Sequence, residues 1–466
     1  MTPSSREFVM PQRESVSYTM TSDLIMEPPA GFWNSLRFLG PGLILTASIV
    51  GSGELIATTT LGAQAGFVTF WVIIVSCLCK VALQLEFGRQ AIVSGKPTFI
   101  SFLDLPGPVW KGGHWIMWVW LVLMVTKFIQ LGGILGGIAL IFRIVLPGVP
   151  LQVWIWLSVI LCALLIGRGM YDTVEMVSVV LIGLFSLATV LCVFFLQYTP
   201  YAISGADLIS GLTFRLPVST IGVAIAAFGL TGVGGTEIMQ YPYWCIEKGY
   251  AAYTGPRSES PDWVRRAKGW IRVMYLDSLI SLVVYTVVTA AFYLLGAAVL
   301  NNRGEIPRGY AMVETLSGMY TNAIGPWAEY IFLLGAFVVL FSTFFAVVAS
   351  WSRQYADAFG CIGWLDYYNE VKRRRFLIGF AWIAPVFMAL FFIFMKNPVL
   401  MVVFGGIGTA AILLFVLFAA YWYRHRLLDK RLAPSRWYDA VLWISMAVIL
   451  ILAVRGLYLG ILGYAE

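Results

Sequence analysis

Two short stretches, VGSGE at 50–54 and VGGTE at 233–237, each end a glycine-rich run in a glutamate inside otherwise apolar sequence. An ionised carboxylate at bilayer depth costs about 2.5–3.5 kcal/mol on insertion scales and marks a functional site by default. Glycine weakens a helix by about 1 kcal/mol relative to alanine, so both stretches can unwind and turn backbone carbonyls and amides toward a cavity. Glu54 and Glu237, the hydroxyls of Ser52 and Thr236 and the loosened carbonyls then form an all-oxygen, negatively charged site. Such a donor set suits hard divalent cations. Magnesium comes first, since it commonly takes one or two carboxylates and keeps several waters, with manganese and calcium next. The plainer reading is a structural ion pair of each glutamate with Lys80 or Lys127, the two lysines inside apolar runs.

The elements that must position these residues are membrane helices. The 466 residues are 60% hydrophobic and 12% charged, and apolar runs of the roughly 20 residues that cross hydrocarbon recur from end to end. They do not alternate polar with apolar, which excludes a barrel and leaves a polytopic all-α protein. Eleven spans are expected at about 36–63, 69–93, 115–142, 151–168, 174–198, 217–246, 272–298, 325–351, 376–395, 398–422 and 437–462. With the N-terminus in the cytoplasm and the C-terminus outside, 23 of the 31 Lys and Arg residues fall on the cytoplasmic side, which sets the orientation. The basic clusters at Arg265–Arg272, Lys372–Arg375 and Arg424–Arg436 are topology signals first and lipid-headgroup contacts second, so the net charge of +7 is no nucleic-acid signature. The twin stretches open units of opposite orientation. Spans at about 36–198 and 217–422 thus form inverted repeats with an extra helix at about 437–462, the layout of transporters whose first helix in each unit is interrupted at the site.

Elsewhere the sequence offers little chemistry. Residues 1–28 are polar and lack the pattern of a cleaved signal, so a disordered cytoplasmic tail is expected. The six cysteines lie in or beside apolar runs and read as small buried hydrophobes; Cys77-x-Cys79 lacks zinc-site spacing. His114 and His425 read as interfacial. Gly132, Gly133, Gly136 and Gly137 suggest close helix packing. No nucleotide loop or nucleophile motif supports an enzyme, and no cofactor is expected.

GPGLILTASIVGSGELIATTTLGAQAGF resembles the first span of the Nramp divalent-metal transporters, and VALQLEFGRQAIVSGK and YDTVEMVSVVLIG resemble their second and fifth. The resemblance implies a leucine-transporter-like fold of five plus five inverted helices plus an eleventh, with metal held between the unwound first and sixth helices. Carried over, the family's aspartate becomes Gly51 and its asparagine Glu54. Gly234 takes the carbonyl position and Glu237 the methionine position, or Ile238 after a one-residue shift, so the soft ligand is lost. The histidines of the sixth helix are replaced by Gln240, Tyr241 and further on Cys245, and the acids of the third by Lys127 and Gln130. These departures imply weak or absent proton coupling and resemble the magnesium-adapted branch of the family.

The sequence therefore points to alternating-access transport of a divalent cation, magnesium before manganese, through a bacterial inner membrane. The metal is cargo, lipids are the surroundings, and a monomer is expected. The main rival is an amino-acid or polyamine transporter of the same fold, since VGSGE also resembles the GSG break of the amino-acid/polyamine/cation symporters and Lys127 could replace a sodium ion. Weaker candidates are Gln84 and Glu86, on an exit path or capping their helix end, Asp277, behind the site or in an ion pair with Lys80 or Lys127, and GGIGTA at 405–410, a gate hinge or a packing segment.

Overall fold

The computed structural model describes residues 22–168, 171–366 and 369–462. All eleven spans are present. Span one is divided into Pro41–Ile49, the π-helical Gly53–Thr58 and Thr59–Ala65, and span six into Ile221–Leu230 and Gly235–Glu247. The others are Phe70–Ser94, Trp115–Val145, Leu151–Gly167, Tyr171–Leu196, Pro261–Leu295 extended by a π-turn, Ala328–Ile362, Glu370–Met395, Pro398–Trp422 and Arg436–Leu462, spans two to five and seven to eleven in order. Nine helices of the described residues are long and apolar enough to cross a membrane; span four is shorter, and span one fails the count because it is broken. The only strands among the described residues are Val109–Trp110 and Gly113–His114, a hairpin in the loop before span three.

Burial sorts the spans into an inner and an outer set. Of the most apolar stretch of spans six, eight and ten, 72% is buried, against 33% for spans five and nine and 28% for span eleven, so the latter turn most of their surface to lipid. Inside, small residues bring backbones together as lipid-embedded helices require. A methyl group on Gly132 or Gly133 of span three would lie 2.5 Å from the Met388 carbonyl or 2.7 Å from the Pro398 carbonyl. Glycines of the 405–410 segment are used likewise: Gly406 lies against Ala226 of span six, and Gly405 and Gly408 against Gln130 and Thr126 of span three, within an unbroken helix. That segment packs; it is not a hinge in this conformation.

The GPG turn that opens span one has a partner. Gly40 is the N-cap and Pro41 the first helical residue, so the amides that follow have no intrahelical acceptor. Asp277 of span seven accepts from the amides of Gly40 at 3.0 Å and Gly42 at 2.5 Å, and from the Tyr241 hydroxyl of span six at 3.4 Å. A carboxylate there also meets the positive end of the helix dipole. Gly42 must be glycine because a methyl group would strike the Asp277 carbonyl and the Ser281 hydroxyl. Asp277 is thus engaged by span one and not by Lys80 or Lys127.

Residues 22–28 belong to the folded body and not to the tail expected over 1–28, of which 1–21 lie outside the described residues. Met26 bonds the Tyr253 carbonyl and accepts from Trp270, and Glu27 pairs with Arg265. Removing the Asp277 carboxylate strands two helix-start amides, so Asp277→Ala lowers the unfolding free energy of the purified protein by about 1–3 kcal/mol. Asp277→Asn, which keeps one acceptor oxygen, costs less. Thermal melts in detergent check the order.

Candidate functional site

The break in span six is made by Thr231, extended at ψ 145°, and Gly232 at φ +62°, followed by an extended Gly234 that caps the second half. Gly232 needs its glycine twice over: the left-handed conformation is costly for side chains, and a methyl group would lie 3.0 Å from the Cys77 α-carbon. The first half ends in carbonyls that the helix cannot satisfy, and span two supplies the donors. Ser76 Oγ donates to the Phe228 and Thr231 carbonyls, both at 3.0 Å. One turn on, Lys80 Nζ donates to Phe228 at 2.7 Å, Thr231 at 2.5 Å and Gly229 at 3.5 Å. Lys80 is wholly buried.

The second half begins with Glu237 in its first turn, where negative charge is favoured. Its Oε2 accepts from Thr236 Oγ1 at 2.9 Å and lies over Gly234, where any side chain would displace it. Span one breaks differently. Val50 leaves the helix, the Gly51 amide bonds the Ile49 carbonyl at 2.6 Å, and the chain continues as a π-turn. Glu54, fully buried, accepts from Thr289 of span seven at 3.3 Å and from the Gly51 amide at 3.4 Å. No ion pair joins either glutamate to Lys80 or Lys127 among the described residues.

Between the breaks lies a small cavity of about 30 Å³. A single water needs about 10–15 Å³, so the space between the breaks is of the order of a few water-sized groups. Of the residues expected at the site, Ser52, Thr236, Glu237, Lys127 and Gln130 line it. Glu54, Gly51, Gly234, Gln240 and Tyr241 do not: Glu54 faces span seven, Gly51 lies against Thr343, and Tyr241 bonds Ser278 at 3.0 Å and Asp277. The structure adds Ser48, Thr343 and Trp351, whose indole nitrogen is buried without a partner. The sequence carried one signal for the span-eight pair, the glycine at 51 that makes room for Thr343.

Lys127 Nζ bonds Gln130 Oε1 and, at 2.8 Å, Thr409 Oγ1 of span ten. The cavity wall therefore carries one ammonium and one carboxylate, with hydroxyls, an amide and an indole N–H. It contains no Met, His or Cys, and the described residues contain no group of three or more His, Cys, Asp or Glu able to hold a metal. Glu86 pairs with Arg89 at 2.5 Å, both buried, and accepts from Tyr438 of span eleven at 2.6 Å. Gln84 reaches Ser278 at 3.3 Å. His114 bonds the Leu105 carbonyl, and His425 stacks on Trp443.

Comparison with known proteins agrees with this architecture. An uncharacterized protein of Pasteurella multocida is 24% identical over 363 residues, 74% of this chain and 75% of that one. A divalent metal cation transporter, MntH, of Bacillus subtilis is 24% identical over 311 residues, 66% of this chain and 68% of that one. Among solved structures, a manganese transporter of Eremococcus coleocola superposes with a TM-score of 0.67 at 13% identity, covering 94% of this chain and 89% of that one. The nucleobase-cation-symport-1 transporter Mhp1 superposes at 0.56 and 15% identity, covering 90% and 91%; both likenesses concern the fold. The model of the family described as "Natural resistance-associated macrophage protein-like" matches residues 42–459, and with nearly the whole membrane domain so covered, the chain belongs to the Nramp family of membrane transporters.

Proposed function

We propose that this protein carries a divalent metal cation, magnesium before manganese, across a bacterial inner membrane by alternating access, with weak or no proton coupling. The observation that carries the reading is the small cavity between the two broken spans, where hydroxyls and the Glu237 carboxylate stand with the Lys127 ammonium among apolar side chains, free of methionine sulfur and imidazole. Kinship with proteins named divalent metal cation transporters supports the class of cargo. Glu54 and the carbonyls of Gly51 and Gly234 are assigned to the ion-loaded form. They do not line the cavity in this arrangement, and rewinding Gly53–Thr58 from π to α geometry is the proposed step that turns Glu54 toward it.

Lys127 and Gln130 support the uncoupled character. A lysine bound to an amide and a hydroxyl is no proton relay, and a positive charge in the wall keeps metal affinity low, which suits release of a downhill cargo. With the N-terminus in the cytoplasm, as the Lys and Arg distribution supports, an inside-negative potential drives the ion inward by about 2.3 kcal/mol per charge per 100 mV.

One observation favours a second reading. Lys127 and the unpartnered Trp351 N–H are donors that a carboxylate would use, as an amino acid binding to a more open form of the site would supply. A polyamine would instead engage Glu237.

Glu237→Ala and Glu54→Ala are each expected to abolish magnesium and manganese uptake in proteoliposomes without changing the size-exclusion profile. Undiminished flux in both variants removes the proposed site. Uptake is expected to leave lumenal pH unchanged; a pH drop that tracks metal entry shows the coupling inference to be wrong. In a thermal-shift panel, magnesium or manganese raises the melting point, whereas stabilisation by an amino acid or polyamine alone selects the second reading.

A further inference from the structure

Lys80 is the one wholly buried lysine, and the proposed transport cycle does not use it. A charge this deep is tolerated only when hydrogen bonds and opposite partial charges replace its water. Its partners are unusual for a lysine. No carboxylate touches it; instead the ammonium sits among the carbonyls of Phe228, Gly229 and Thr231, at the negative end of the first half of span six. Three N–H donors meet three backbone oxygens. Ser76 Oγ and Thr231 Oγ1 stand beside them, 2.8 Å apart, with Glu54 and Glu237 within electrostatic reach. Rings of carbonyls and hydroxyls at a helix interruption are how membrane proteins hold a bare monovalent cation.

We infer that Lys80 is a tethered monovalent cation: its ammonium permanently fills a carbonyl site at the break of span six that would otherwise take sodium or potassium. The consequence is that the break keeps its shape through the cycle without a free alkali ion, so transport runs without one. An apolar residue in its place would take the side-chain donor from the Gly229 carbonyl and leave those of Phe228 and Thr231 to share the Ser76 hydroxyl in a dry interior. A shorter residue would leave a site of the size and charge that an alkali ion fills.

The test compares Lys80→Ala, which vacates the site, with Lys80→Met, which removes the charge but keeps the stem's volume. Melting points are read against sodium, potassium and choline chlorides at constant ionic strength, a readout that does not depend on which cargo is carried. The wild type is expected to be indifferent to the salt. Lys80→Ala melts several degrees lower in choline and recovers saturably in sodium or potassium, and Lys80→Met stays low in all three. Uptake by the wild type is equal in sodium, potassium and choline. The inference is overturned if Lys80→Ala matches the wild type in choline, if no alkali ion restores it or it cannot be folded in any of the salts, if Lys80→Met recovers as Lys80→Ala does, or if wild-type uptake requires an alkali ion.

Discussion

In hydrocarbon no backbone amide or carbonyl can be left without a partner, and the two interrupted spans of this protein free several at once. Everything near the site follows from how they are met. At the start of span one the Asp277 carboxylate takes the Gly40 and Gly42 amides. At the end of the first half of span six the Lys80 ammonium and the Ser76 hydroxyl take the Phe228 and Thr231 carbonyls. An acid meets the positive end of one half-helix and a base the negative end of the other, so each residue is held by a helix terminus as well as holding it. These interactions fix where the halves begin and end, and hence where the cavity lies.

The cavity inherits its electrostatics from that arrangement. Lys80 is drawn off to the carbonyls behind it, and Glu54 to Thr289 and its own π-turn. Glu237 and Lys127 remain at the wall, and Lys127 is bonded away toward Gln130 and Thr409. The cavity wall thus carries one charge of each sign. Glu54, the second acid of the proposed metal site, stands outside the wall in this arrangement. Glu54 lies within the π-turn over Gly53–Thr58, and such turns recur at functional sites.

Much of the frame was legible in the residues. Span number, the two breaks and the packing role of Gly132 and Gly133 follow from run length, glycine placement and the ban on unpaired backbone, all local properties. The partners of the buried charges were not. Asp277, read as behind the site or paired with a lysine, holds a helix start in another span; Glu86, read as on a path or capping a helix end, is tied to Arg89 and Tyr438. Opposite charges in a sequence suggest pairing, yet in the folded bundle helix ends compete for them as strongly as side chains do.

The sequence by itself determined that the chain crosses a membrane many times and that its first and sixth spans are interrupted. Composition and period suffice for that, because the bilayer enforces them residue by residue. Only the tertiary structure decided which acids share a cavity, that Thr343 and Trp351 of span eight close it, and that Lys80 faces carbonyls and not a carboxylate. The reason is geometric. The direction of a side chain at a break depends on how the helix resumes, as a π-turn at Gly53 or a fresh α-helix at Gly235, and that choice is set by neighbouring spans far away in the chain.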